Sequence, residues 1–490
     1  MSNDAFPQWK QKGHTGGFSD DRFLGVRDSF KYAKGIEIRK NPHTMKLAYA
    51  VDKDSASTIV DLVNAMVTIK STGDIIAFGN AGNIYRKAAG TGAWVKVYTQ
   101  SGTPNILNGI EYNGYLYWFT AGYVHRLIVS AIDEDWSSGS TPELNYKTFT
   151  NGNTIAHPAI ELNNQLYIGD GKHLAELSSA GVFTGNKLPI FADEYIRSIT
   201  FGGSMMRLFS RKSDKVEGSQ KYFWDGTSLA YNERVEFRQA VHCAISNGGD
   251  DFVIAGKRPI IYNATGYQWQ PLKRLYGISD AQSCYLAPNA IDMYEGLLVF
   301  APAESGTNSI GRGVWTWGQW DYKYPTSLNY DFPGSNDNLT DVIGCVHNSN
   351  GVLYFSWKNG SSYGIDVVNT AKYRATGELH SIVHYGQEAD EQKAVVGIKG
   401  GYAPLNAGEK IEVFAKKNLT ANYPGTAEIT IQYTDADDLA SNSKRNDDPA
   451  IAGDYEFLET KVVLTAGTSG LTTPELVEMS VLFDPDIEVG

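Results

Sequence analysis

Three cysteines in 490 residues, Cys243, Cys284 and Cys345, are too few and too far apart for a disulfide framework. No C-x-x-C pair is present and the nine histidines stand singly, so a zinc centre is not expected either and buried free thiols are. Long apolar runs are missing as well. Nowhere do about 18 apolar residues stand together, and the opening MSNDAFPQWKQKGHTGGFSDD has no apolar stretch of signal-peptide length. The expectation is a chain made in a cytosol that spans no membrane. Positive charge is in deficit, 43 basic against 55 acidic residues for a net charge of −12. That balance disfavours a nucleic-acid-coating role, which needs a cationic surface to release counterions. H-E-x-x-H, Walker, G-x-S-x-G and G-x-G-x-x-G patterns are all absent, so neither a cofactor nor an enzymatic activity is expected.

What is present is turn and strand chemistry. Fifty glycines and 29 tyrosines against seven methionines suit short strands joined by tight turns. Seven segments repeat one hairpin pattern: AMVTIKSTGDIIAFG, NGIEYNGYLYWF, PAIELNNQLYIG, RSITFGGSMMRLF, HCAISNGGDDFVIAG, AIDMYEGLLVFAP and GCVHNSNGVLYFSW. Their turn residues, Gly73, Gly114, Asn164, Gly203, Gly248, Gly296 and Gly351, recur every 39 to 55 residues. A spacing near 46 residues suits a four-stranded blade. A third strand follows most hairpins, as in GNIYRK, GYVHRL, KYFWDG and GVWTWG. One twisted sheet cannot bury both of its faces alone, so blades pack around an axis until the ring closes. The expected fold is therefore all-β: a seven-bladed β-propeller over residues 58–388 with a flank completing the closing blade. WD40 dipeptides at blade spacing and sialidase Asp boxes are absent. Stacked β-sandwiches or a β-helix are the alternative architectures.

The ends of the chain depart from the repeat. Residues 1–57 read as an extended arm plus a closing strand, with Phe18 and Phe23 as aromatic anchors of a candidate assembly arm in a glycine-rich setting. After residue 388 the pattern becomes one-sided alternation. Ile411, Val413 and Ala415 share a face, as do Ile429, Ile431 and Tyr433, then Leu458, Val462 and Leu464, then Val477, Met479 and Val481. Half-buried strands of this kind predict an immunoglobulin-like or jelly-roll-like β-sandwich over residues 389–490. The polar loop carrying Asp435, Asp437, Asp438, Asp447, Asp448 and Asp454 offers oxygens to calcium but lacks an EF-hand register, and reads as a solvated loop.

Candidate contact residues cluster in GVWTWGQWDYKYP. Trp315, Trp317, Trp320, Tyr322 and Tyr324 would stack on sugar rings, or meet a protein partner, if exposed; filling the wedge between blades is the competing role. Asp193, Glu194, Asp225 and Asp321 would act as glycosidase acids only if the fold paired them. His125, His157, His242 and His347 lie in or beside strands, where packed neutral imidazoles are the ordinary outcome.

The entry segment KGIEIRKNPHTMKLA, the NGxLY hairpins without WD or Asp boxes, and the terminal pair ETKVVLTAG with TTPELVEMSVLFDP resemble virion β-propeller proteins of tailed bacteriophages, components of a tail nozzle, hub or adhesion device. The resemblance implies a non-enzymatic structural protein of the virion tail. It would be made in the host bacterial cytoplasm, assemble as a homo-oligomer with other tail proteins and contribute to attachment at a host-surface glycan or protein. No long helical or loop insertion for gripping a tail adaptor is recognisable, and no functional residue is carried over. A carbohydrate-binding lectin and a polysaccharide-degrading enzyme are the alternatives.

Overall fold

Hairpin turns set the frame. Asn113 and Gly114 take φ of 47° and 77°, and Asn350 and Gly351 take 50° and 83°. Positive φ at both central positions matches the right-handed twist of the flanking strands and sends the chain straight back beside itself. All seven turn residues read from the repeat adopt positive φ.

A computed structural model describes residues 8–11, 17–18, 29–55, 58–90, 92–133, 135–136, 141–212, 217–275, 283–305, 313–319, 326–335, 342–382, 384–385, 394–417, 429–435, 443–446 and 457–484. Among these the protein is all-β, with a 3-10 turn at Val129–Ala131. The chain divides into two compact units, one of residues 52–314 and 334–367, the other of residues 1–51, 315–333 and 368–490.

The first unit is a β-propeller arrangement. Five four-stranded antiparallel blades follow in chain order, from Val63–Thr68 to Trp94–Thr99, Ile106–Tyr112 to Glu143–Thr148, Ala159–Leu162 to Phe183–Pro189, Glu194–Gly202 to Glu233–Gln239, and Val241–Asn247 to Gln270–Arg274. A sixth blade consists of Val342–Ser349, Val352–Asn359 and Ser362–Tyr373, and takes its outer strand, Tyr49–Lys53, from the N-terminal flank. The innermost strands neighbour one another around a closed circle, with the hairpin Ile291–Tyr294/Leu297–Phe300 between the fifth and sixth blades.

The expected count of seven blades is thus corrected to six. The sixth repeat keeps its hairpin, but most of the segment read as its third strand, Gly313–Gly318, and all of Ser327–Pro333 fall in the other unit. Local patterning sets the strands themselves, whereas how they are grouped is decided by hydrogen-bond satisfaction and packing over the whole molecule.

Wedges between blades hold the core. Phe78 of the first blade meets Trp118 of the second, with ring centroids 6.5 Å apart, over buried Trp136. Phe119 and Phe149 of the second meet Leu166 and Ile168 of the third, and Tyr167 and Leu174 of the third meet Ile196 and Trp224 of the fourth. Across the ring's seam Met66, Tyr85 and Trp94 pack with Cys345 and Ile365. Burying a large apolar side chain in such a wedge contributes about 1.5–3 kcal/mol. Cys243 and Cys345 are buried on innermost strands, as the hairpin pattern predicts, and all three cysteines are free.

The second unit contains the two-stranded pair Ile36–Glu37/Lys46–Leu47 and two larger sheets. One has the order Gln8–Gln11, Leu476–Asp484, Ala394–Tyr402, Ser443–Asn446. The other runs Ser327–Pro333, Ser29–Lys34, Thr376–Ser381, Phe457–Thr465, Lys410–Lys417, Ile429–Thr434. Tyr402 of the first packs on Tyr433 of the second at 5.1 Å. The expected inward faces are buried at Ile411, Val413, Ala415, Ile431, Tyr433, Leu458, Val462 and Leu464, and Met479 and Val481 are buried too, whereas Val477 is 48% exposed. The unit also takes in residues 29–51 and 315–333.

Candidate functional site

The innermost strands are mostly apolar, with polar groups such as Asn108, Arg197 and Asp292 among them. Several carry a β-bulge at an equivalent place: the register slips at Asn64, Leu107, Arg197 and His242, and at Gly344–Cys345. A bulged residue drops out of the ladder and leaves backbone groups that need other partners. Side chains supply some of them, and bond across neighbouring segments as well. Asn108 Nδ2 donates to His157 O at 3.0 Å. Asn289 Nδ2 donates to Asn64 O at 2.8 Å and Leu107 O at 3.2 Å. Arg197 donates through Nε to His242 O at 2.7 Å and through Nη2 to Leu286 O at 2.9 Å. Each bond joins different innermost strands or the segments leading into them, so together they lace the axis.

Beside this lacing lies a cavity of about 230 Å³, lined by residues that include Met66, Asn108, Arg197, Ser198, Asn289, Asp292, Cys345 and His347. Its charged groups are Arg197, which is only 5% exposed, and Asp292. Burial pushes the Arg197 guanidinium below its ordinary pKa, and the nearby Arg211 cation acts in the same direction. Among the described residues no carboxylate lies within ion-pair distance of Arg197. Burial raises the Asp292 carboxyl to about 6, opposed by the N–H groups of Asn348 and Met293, which donate to it at 2.7 Å. His347 is lowered to about 4 by burial. Its Nε2 meets Thr68 Oγ1 at 2.8 Å and its Nδ1 lies 3.8 Å from Asp292 Oδ2. At neutral pH the cavity therefore presents a guanidinium, a carboxylate and an uncharged imidazole. Such a set can hold a small polar ligand by charge and hydrogen bonds. Among the described residues no three histidines, cysteines, aspartates or glutamates gather as metal ligands.

The residues singled out from the sequence lie elsewhere, apart from Cys345 and His347. Trp315 is 1% exposed and stacks on Tyr330 at 5.0 Å, so its ring is core and offers no open face to a sugar. Trp317 is half-buried. Trp320, Tyr322, Tyr324, Asp321 and Phe23 lie outside the described residues. Gly17–Phe18 pairs in parallel with Ser29 and Phe30, which engages the Phe18 backbone within its own unit. Of the aspartates in the polar loop, only Asp435 is described; it is exposed and accepts the Gly408 N–H at 3.3 Å.

The three described candidate acids, Asp193, Glu194 and Asp225, are each engaged by their own surroundings. Glu194 is buried and accepts bonds from Ser210 Oγ, Gln220 Nε2 and Tyr222 OH at 2.6–2.7 Å. Asp193 is exposed near Lys212. Asp225 closes its own loop, where Ser228, Thr227 and Asn232 hold its carboxyl well below the usual range. The other histidines are packed and bonded to their surroundings. His157 stacks on Phe149 at 4.1 Å and bonds Gly169 O, His242 bonds Gly256 O, and His125 accepts the Asn145 N–H through Nδ1.

Arg197 and Asp292 lie inside the quoted hairpins RSITFGG and AIDMYEG but were not singled out. The available signal is a charged residue at the start of an innermost strand whose neighbours are apolar.

No protein-family model and no curated protein matches the sequence. Solved structures with a similar arrangement include Raptor of Chaetomium thermophilum, at 12% identity and a TM-score of 0.47, covering 66% of this chain and 29% of that one. The WD40 domain of Neurospora crassa Pan2 aligns at 6% identity and a TM-score of 0.44, covering 67% of this chain and 97% of that one. At these values the propeller assignment rests on the blades themselves.

Proposed function

We propose that this chain is a structural component of a tailed-bacteriophage virion, a tail-associated scaffold made in the host cytoplasm and working in an assembled complex rather than as an enzyme. The observation that carries this reading is how strands far apart in the chain are tied together. Gln8–Gln11 pairs antiparallel with the C-terminal strand Leu476–Asp484, from Gln8↔Leu482 to Gln11↔Met479. Tyr49–Lys53 completes the sixth blade. Neither Gln8–Gln11 nor Tyr49–Lys53 can be pulled away without breaking strand pairing, and such closures suit a part that bears load between neighbours.

In this reading the second unit is a β-sandwich that attaches to other tail proteins or to further copies of the chain, and the propeller presents a rigid face that contributes to attachment at a host-surface glycan or protein. The engagement of Glu194, Asp225, His125, His157 and His242 in structural bonds supports a non-catalytic role. Mass spectrometry of purified tailed particles from the source of this sequence tests the proposal. The chain is expected in a fixed ratio to the tail proteins. Its absence from intact particles, or turnover of a capsule or cell-wall glycan by the purified chain, would overturn it.

A further inference from the structure

We propose that the axial cavity of the propeller is a binding site for one small oxyanion, a phosphate or a short carboxylate, held by Arg197.

The first observation is electrostatic. Arg197 stands in the cavity wall at 5% exposure, with Nε and Nη2 bonded to the carbonyls of His242 and Leu286. Those carbonyls fix the guanidinium plane but carry only partial charge. Nη1 makes no hydrogen bond among the described residues. Arg211 adds a second positive charge to its surroundings. A desolvated cation without a counter-charge is costly, and arginine does not escape the cost by losing its proton.

The second observation is space and donors. The cavity of about 230 Å³ reaches Arg197 and its neighbour Ser198 together. Ser198 Oγ accepts the Ala244 N–H at 3.0 Å, which leaves its own proton to donate. A liquid water occupies about 30 Å³, so an oxyanion of phosphate or acetate size fits. The guanidinium edge supplies paired donors in the geometry an oxyanion accepts. Asp292 lines the same cavity, and its negative charge opposes the anion, so it limits affinity and favours a singly charged ligand over a doubly charged one.

Isothermal titration calorimetry of the full chain at pH 7.5 and constant ionic strength tests the site, with inorganic phosphate in one arm and sodium acetate in the other. One saturable site for at least one of the two is expected, and the arm that saturates identifies the class of oxyanion. Arg197→Gln, checked for folding by circular dichroism, is expected to weaken binding by about tenfold or more. Asp292→Asn leaves the Arg197 lacing intact and is expected to tighten binding severalfold. Heats of dilution alone in both arms would overturn the proposal, and so would affinities unchanged in both variants. If Arg197→Gln does not fold, Asp292→Asn decides, and an unchanged affinity there rejects the site. These outcomes do not depend on the presence of the chain in a virion.

Discussion

Asp292 shows how burial turns one carboxylate into a pH-dependent element. Its carboxyl titrates at about 6 in the folded chain, against about 3.9 in an unfolded one. Between those values the folded state holds a proton that the unfolded state releases. The favourable contribution is therefore complete below the unfolded pKa and is lost as pH rises through 6. Two units correspond to about 3 kcal/mol. Asp292→Asn removes this dependence, so urea denaturation should show the wild type losing up to about 3 kcal/mol relative to the variant between pH 4 and pH 7. His347 moves stability the opposite way, because its lowered pKa favours the fold above 6.5 and is a cost as pH falls through 4. The difference between wild type and variant isolates the carboxylate. A gap that stays constant over this range would mean that the Asp292 carboxyl keeps the pKa it has in the unfolded chain.

At the scale of the strand, the bulges place side chains on the axis and also demand small residues. A Cβ on Gly344 would stand 2.1 Å from Val63 O and 2.9 Å from Ser356 Oγ, in the place where Ser356 Oγ donates to that carbonyl at 2.6 Å. Backbone cannot move aside as a flexible side-chain end does. Gly344→Ala is expected to cost at least about 2 kcal/mol in chemical denaturation. A Cβ on Gly122 meets nothing within 4 Å, so Gly122→Ala should stay within about 0.5 kcal/mol. Equal effects from the two substitutions would show that the seam at Val63 relaxes freely. Bulge positions were not legible in the sequence, because the slip depends on how each strand meets its neighbour across the wedge. The turns were legible, since positive φ at Gly114 or Gly351 follows from local chemistry.

Across the whole ring, closure depends on a strand that precedes the first blade. Asp54, directly after Tyr49–Lys53, accepts Lys87 Nζ at 3.0 Å and Trp94 Nε1 at 2.7 Å, both on the first blade, while its own N–H donates to Ile365 O on the sixth. One residue thus joins the last blade to the first. Asp54→Ala leaves a buried lysine and an indole N–H without their carboxylate and is expected to lower stability by about 2–3 kcal/mol. Guanidinium chloride unfolding measures it, and a loss below about 0.5 kcal/mol would place closure in the apolar seam around Met66 and Tyr85 instead.

The sequence by itself determined the all-β class, the hairpins, the burial of Cys243 and Cys345, and most of the inward faces of the C-terminal strands. Each of these follows from local rules, namely the two-residue period of a strand and the backbone freedom of glycine and asparagine in tight turns. Tertiary structure alone decided that the ring has six blades, that the division of the chain into units falls within Gly313–Gly318 and leaves Ser327–Pro333 in the second unit, that Trp315 is core, and that Arg197, Asp292 and His347 line one cavity. Strand partners far apart in the chain, and the side chains that meet on the axis, depend on which free edge accepts each strand. That choice is made by packing and hydrogen-bond satisfaction over the whole molecule, and no window of sequence contains it.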